Sequence, residues 1–168
     1  MIVEAQVTIN APKAAVWAVI TDIENAAATI GGIETIEVLE RPDDGLVGLK
    51  WRETRTMMGK TCTEDMWVTE AIENDAYKVR AESHGFVYLS TLSLAERDGR
   101  TTLTMSHDSR PQGFMARLLS VPMGLAFKGT MKKAFAKDLE DIKAGRHEAA
   151  YAAFAATGCR RPEQEIVP

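Results

Sequence analysis

Three side chains in this sequence have the types to do chemistry, and two of them share one strand face. In "LKWRETRTMMG" (49–59) the residues alternate, with Leu49, Trp51, Glu53, Arg55 and Met57 on one side. Lys50, Arg52, Thr54 and Thr56 take the other. The first face is apolar at both ends and carries an acid and a base in its middle. Residues two apart on a face sit roughly 7 Å apart, close enough to pair or to share a ligand. Two charges in a dry core would cost several kcal/mol, so water or a polar ligand should accompany them. Three readings stay open at this level: a polar pocket floor, an ion pair at a cavity mouth, or a solvated face. His107 is the third side chain. It shares a face with Leu103, Met105 and Ser109, where it could act as an acid or base tuned by burial and by Glu53. A packed histidine held by one hydrogen bond is the alternative.

Other chemistries find less support. His84, His107 and His147 show no ligand spacing, so neither a metal nor a cofactor is expected. Cys62 has no histidine beside it in sequence, and Cys62 and Cys159 are expected as free thiols. A net charge of −4 argues against a nucleic-acid partner. Lys128, Lys132, Lys133 and Lys137 do cluster, but Asp138, Glu140 and Asp141 follow at once, which reads as a solvated helix face. The opening "MIVEAQVTIN" lacks the pattern of a signal peptide, and no apolar run is long enough to span a membrane. A cytoplasmic location is therefore expected.

The elements that must hold these residues follow from period and punctuation. "VEAQVTI" (3–9) alternates as a half-buried strand, and the next stretch (10–22) turns helical, with Asn10 as a cap and Pro12 in the first turn. Asp22 can cap a short second helix, which Gly31-Gly32 stops. Six strands follow at 33–40, 46–58, 61–73, 76–83, 86–97 and 100–110, separated by turn signals such as Asp98-Gly99. The turns are too short for parallel crossovers, so the sheet is antiparallel. From Gly113 the period is helical again, and Met123, Phe127, Met131, Phe135, Leu139 and Ile142 form one stripe, with Pro122 starting or kinking the helix. The fold class is thus α+β: a curved seven-stranded antiparallel sheet around a long C-terminal helix, with two short helices after the first strand. A sheet closed by one helix leaves a hollow suited to a ligand. A chain of 168 residues makes one domain, placed at 1–146, with a partly helical or disordered tail at 147–168.

The opening "VEAQVTINAPKAAVWAVITDIEN", with its Asn-Ala-Pro helix start and Val-Trp pair, resembles the START-like, polyketide cyclase/dehydrase superfamily. "GGIETIEVLE" and the closing long helix fit the same pattern, and the likeness runs from about 2 to 144. It implies a helix-grip fold and a cavity for a hydrophobic or amphipathic molecule. No catalytic motif is common to that superfamily, so none is carried over.

The cavity side of each strand supplies the expected ligand contacts. These are Trp51, Glu53, Arg55 and Met57, then Tyr77 and Ser83, then Tyr88 and Ser90, then Met105 and His107. Met123, Phe127 and Met131 of the helix complete the wall. The faces of 61–73 and 86–97 stay ambiguous, since Trp67, Val87 and Leu89 blur the pattern. The expected function is binding of a lipid, polyketide or quinone-like molecule. One alternative is a cyclase or dehydratase, with Glu53, Arg55 and His107 acting on a poly-carbonyl substrate. Another is an accessory interaction module using Tyr151 and Phe154 of the tail. A homodimer is left open.

Overall fold

The computed structural model describes residues 1–57, 59–83, 85–112 and 128–145. Strand β1 (Ile2–Ile9) leads into helix α1 (Lys13–Thr21), a single 3-10 turn (Ile23–Asn25) and the short α2 (Ala26–Thr29). Then come β2 (Ile33–Glu40), β3 (Lys50–Met57), β4 (Lys60–Ile72), β5 (Ala76–Ser83), β6 (Phe86–Arg97) and β7 (Arg100–Pro111). A helix over 128–145, here α3, follows.

All seven strands form one antiparallel sheet in the order β1-β7-β6-β5-β4-β3-β2. Six strands are a plain meander, and β1 returns to pair with β7. The β6–β7 hairpin closes between Arg97 and Arg100, leaving a two-residue turn. Asp98 and Gly99 both sit at positive φ, 52° and 72°, as the right-handed twist of the flanking strands requires.

Alternation decides which side of each strand is covered. Val3, Ala5, Val7 and Ile9 of β1 are buried while their neighbours are exposed. They meet Leu103 of β7, Val16 and Ile20 of α1, and Phe135, Leu139 and Ile142 of α3 in one core. The α3 stripe therefore lies on the sheet, with Lys128, Lys132, Lys133 and Lys137 facing out.

Three expectations need correction. Helix α1 begins at Lys13 with Pro12 in extended backbone, and Asn10 contributes no cap. The Glu96 carboxylate of β6 accepts from the Lys13 N–H at 2.7 Å instead, an acid placed where the helix dipole favours one. Strand β3 starts at Lys50 rather than 46, because Gly48 at φ 93° turns the chain and its N–H bonds the Val68 carbonyl at 3.0 Å. Asp138 is not on a solvated face. It is 7% exposed, since three residues after Phe135 and four before Ile142 is a place on the buried stripe.

Candidate functional site

Between the concave face of the sheet, the α1–α2 segment and α3 lies a cavity of about 330 Å³. Its walls are mostly apolar: Ile20, Ile23 and Ile30 from the helical segment, Met66, Val79, Leu92 and Met105 from the sheet, Met131 and Phe135 from α3. This is the size and character of a small-molecule pocket.

One polar group sits on β3. Arg55 Nη2 donates to Asp138 Oδ2 at 2.6 Å, and Arg55 Nε stands 3.5 Å from Glu53 Oε1, within ion-pair range but not aligned as a hydrogen bond. Burial pushes the Glu53 carboxyl above its usual range, and Arg55 works against that. Burial also disfavours the charged guanidinium, but Asp138 and Glu53 outweigh it and hold Arg55 above its ordinary value. Glu64 of β4, opposite Glu53 in register, lines the cavity too. The α2–β2 turn closes over this group. Gly31 N–H donates to Asp141 of α3 at 3.1 Å, and a Cβ at Gly32 would stand 3.2 Å from Arg55 Nη2 and 3.4 Å from Asp138 Oδ1.

A second polar group sits on β6 and β7. Ser90 Oγ and His107 Nδ1 share a hydrogen bond of 2.8 Å. The imidazole stacks near-parallel to Tyr88 at 5.6 Å and lies 5.3 Å from the Phe135 ring. Burial lowers its pKa from 6.5 to about 4, so it is neutral at physiological pH. His107 Nε2 and the indole Nε1 of Trp51 are both buried and make no well-aligned hydrogen bond among the described residues, although the indole N–H lies near enough to Glu53 to favour its carboxylate. Both residues line the cavity.

The cavity thus gathers Trp51, Glu53, Arg55, Tyr77, Tyr88, Ser90, Met105, His107 and Met131 from the expected contacts. Tyr77 offers only its ring, because its hydroxyl donates to the Ile20 carbonyl at 2.8 Å. Ser83 does not line the cavity; it lies at the far end of β5, opposite Phe86. The Met57 side chain, Met123, Phe127, the Pro122 break and the tail from 147 lie outside the described residues. The ambiguous strands resolve: Cys62, Glu64 and Met66 of β4 and Tyr88, Ser90 and Leu92 of β6 face inward. Trp67, between Lys50 and Arg80 in register, takes the other face. Asp138, Glu64 and the isoleucines of the helical segment were not anticipated. For Asp138 a signal existed in its helical spacing; for the isoleucines there was none before the segment's packing was known. Cys62 is an exposed free thiol that also lines the cavity. Among the described residues no group of three or more His, Cys, Asp or Glu side chains could hold a metal ion.

The sequence pattern of the family described as "Polyketide cyclase / dehydrase and lipid transport" matches residues 1–145. The chain belongs to this family. Solved structures agree with this polyketide cyclase/dehydrase assignment at the level of fold. The Zhui aromatase/cyclase of a Streptomyces species superposes with a TM-score of 0.74 at 18% identity, covering 91% of this chain and 97% of that one. A Thermus thermophilus protein gives 0.71 at 18% identity, over 89% and 99% of the two chains. A START superfamily protein from Mycobacterium smegmatis gives 0.60 at 18%, over 84% and 98%. No curated protein gives a significant sequence match. The shared architecture is the helix-grip fold: α3 laid across a seven-stranded antiparallel sheet.

Proposed function

We propose that this member of the polyketide cyclase/dehydrase family binds a hydrophobic or amphipathic small molecule of lipid, polyketide or quinone-like character. The observation that carries the reading is the mostly apolar cavity with buried polar atoms at Trp51 and His107 that make no well-aligned hydrogen bond among the described residues. A buried N–H without a partner costs about 1–3 kcal/mol, a cost that an oxygen atom of a bound molecule would relieve. Residues 1–146 form the binding domain in this reading, and the protein works in the cytoplasm; among the described residues no helix is long and apolar enough to cross a membrane. The test is a native mass spectrum of freshly purified protein against the same sample denatured. A bound mass lost on denaturation supports the reading. Failure to take up any apolar probe, added in excess to the native protein, contradicts it.

A second reading, a cyclase or dehydratase, is favoured by one specific observation. Glu53, Arg55 and His107 face a single cavity, so an acid, a cation and a neutral imidazole surround one bound molecule. His107 could move a proton while Arg55 stabilises an enolate oxygen. Turnover of a poly-carbonyl compound that falls at least about a hundredfold in His107→Gln, with binding retained, would establish it.

A further inference from the structure

The cavity's charges do more than add polarity. Among the described residues that line it, Arg55 is the one formal cation, set against the carboxylates of Glu53, Glu64 and Asp138. That cation is already engaged: its Nη2 donates to Asp138 at 2.6 Å and its Nε stands 3.5 Å from Glu53. Asp138 is held in this role by its place on the buried stripe of α3. A carboxylate entering the cavity would have to compete with Asp138, already hydrogen-bonded to Arg55, and would meet the acids gathered around that cation. Besides Arg55 Nε, which faces Glu53 without hydrogen-bond alignment, the buried polar atoms that lack a hydrogen-bond partner among the described residues belong to uncharged side chains. Trp51 is 4% exposed, and its N–H is a donor with no charge. His107, neutral and with Nδ1 on Ser90, presents Nε2.

We infer that Asp138 is a specificity-determining residue: by occupying Arg55 it makes the cavity select uncharged, oxygen-bearing amphiphiles and refuse carboxylates. This inference rests on the cavity being the ligand site, as proposed above. The uncharged ligand's oxygen accepts from Trp51 Nε1 or meets His107 Nε2, and its apolar body lies along Met66, Met105 and Phe135. Freed of its partner, the same arginine would receive an acid.

The experiment compares decanol with decanoate at about pH 8, where the acid is ionised. Each displaces the uncharged fluorophore phenylnaphthylamine from wild type, Asp138→Asn and Glu53→Gln, with folding of each variant checked by circular dichroism. Asp138→Asn is expected to raise decanoate affinity at least about tenfold while decanol changes less than about threefold. Glu53→Gln, which removes the other acid beside Arg55, is expected to shift the pair the same way. The inference is overturned if decanoate affinity is unchanged in both variants, or if the two probes move together. If no protein binds the fluorophore or either probe, the ligand-site reading itself fails, and the inference with it.

Discussion

Asp138 of α3 accepts a 2.6 Å hydrogen bond from Arg55 of β3, joining the long helix to the sheet across 83 positions of sequence. Both side chains are mostly buried, so the pair was taken out of water and must be kept whole. Removing one partner strands the other charge. Asp138→Ala is therefore expected to lower unfolding free energy by about 3 kcal/mol in urea titrations. Replacing both residues by leucine is expected to recover much of that loss. A double variant as unstable as the single one would show that the ion pair is not the cause.

The same helix grips the α2–β2 region at its other end. A Cβ placed on Gly145 would stand 2.8 Å from Thr29 Cγ2, closer than packed carbons approach. Alanine is normally worth up to about 1 kcal/mol over glycine in a helix, yet Gly145→Ala is expected to destabilise by about 1–2 kcal/mol. Adding Thr29→Ser, which deletes the offending methyl, should restore stability to or above wild type. Thermal melting of the three proteins decides it.

His107 makes stability depend on acid. Its pKa falls from 6.5 to about 4 because burial disfavours the imidazolium. Above about pH 6.5 neither state binds the proton, and the full stability is present. Between about 6.5 and 4 the unfolded chain protonates first, so stability falls with pH; below that the loss levels off. Relative to His107→Gln, wild type should lose about 2–3 kcal/mol across this window. Glu53, raised by burial, pulls the opposite way, so the difference between the two proteins is the quantity to measure. Parallel pH profiles would contradict the assignment.

Tyr77 ties the helical segment to the sheet. Its hydroxyl donates to the Ile20 carbonyl at 2.8 Å, and its ring meets Trp17 edge-on at 5.9 Å. Tyr77→Phe keeps the ring contact and leaves a buried carbonyl unpaired, so a loss of about 1–2 kcal/mol is expected in chemical denaturation. A neutral substitution would mean that the carbonyl finds another partner.

How much of this was legible in the residues depended on where the signal lay. The seven strands and the meander of the last six follow from period two and from turns such as Asp98-Gly99, both local properties, whereas the pairing of β1 with β7 joins residues about 100 positions apart and has no local signal. The inward face of β3 was readable because Leu49 and Trp51 flank the charged pair on one parity. Asp138 was misassigned because its charged neighbours Lys137, Glu140 and Asp141 suggested solvent, while its spacing from Phe135 and Ile142 said otherwise. A burial stripe outweighs local charge when a partner such as Arg55 waits across the interface. The faces of β4 and β6 could not be chosen from alternation, since Trp67, Val87 and Leu89 put apolar side chains on the outer parity. Nor could the sequence foretell that Ile23 and Ile30 would roof the cavity, because that depends on how the short helical segment folds back over the sheet.

A ligand seated in this cavity must compete with any bulk added to its wall. Met66 lines it and is only partly buried, so Met66→Trp places a larger ring in the hollow without crowding the closed core. Phenylnaphthylamine fluorescence should report saturable binding to wild type. It should show at least about tenfold weaker binding to a Met66→Trp protein that melts at an unchanged temperature. Undiminished binding to that folded variant would place the ligand elsewhere and contradict the account.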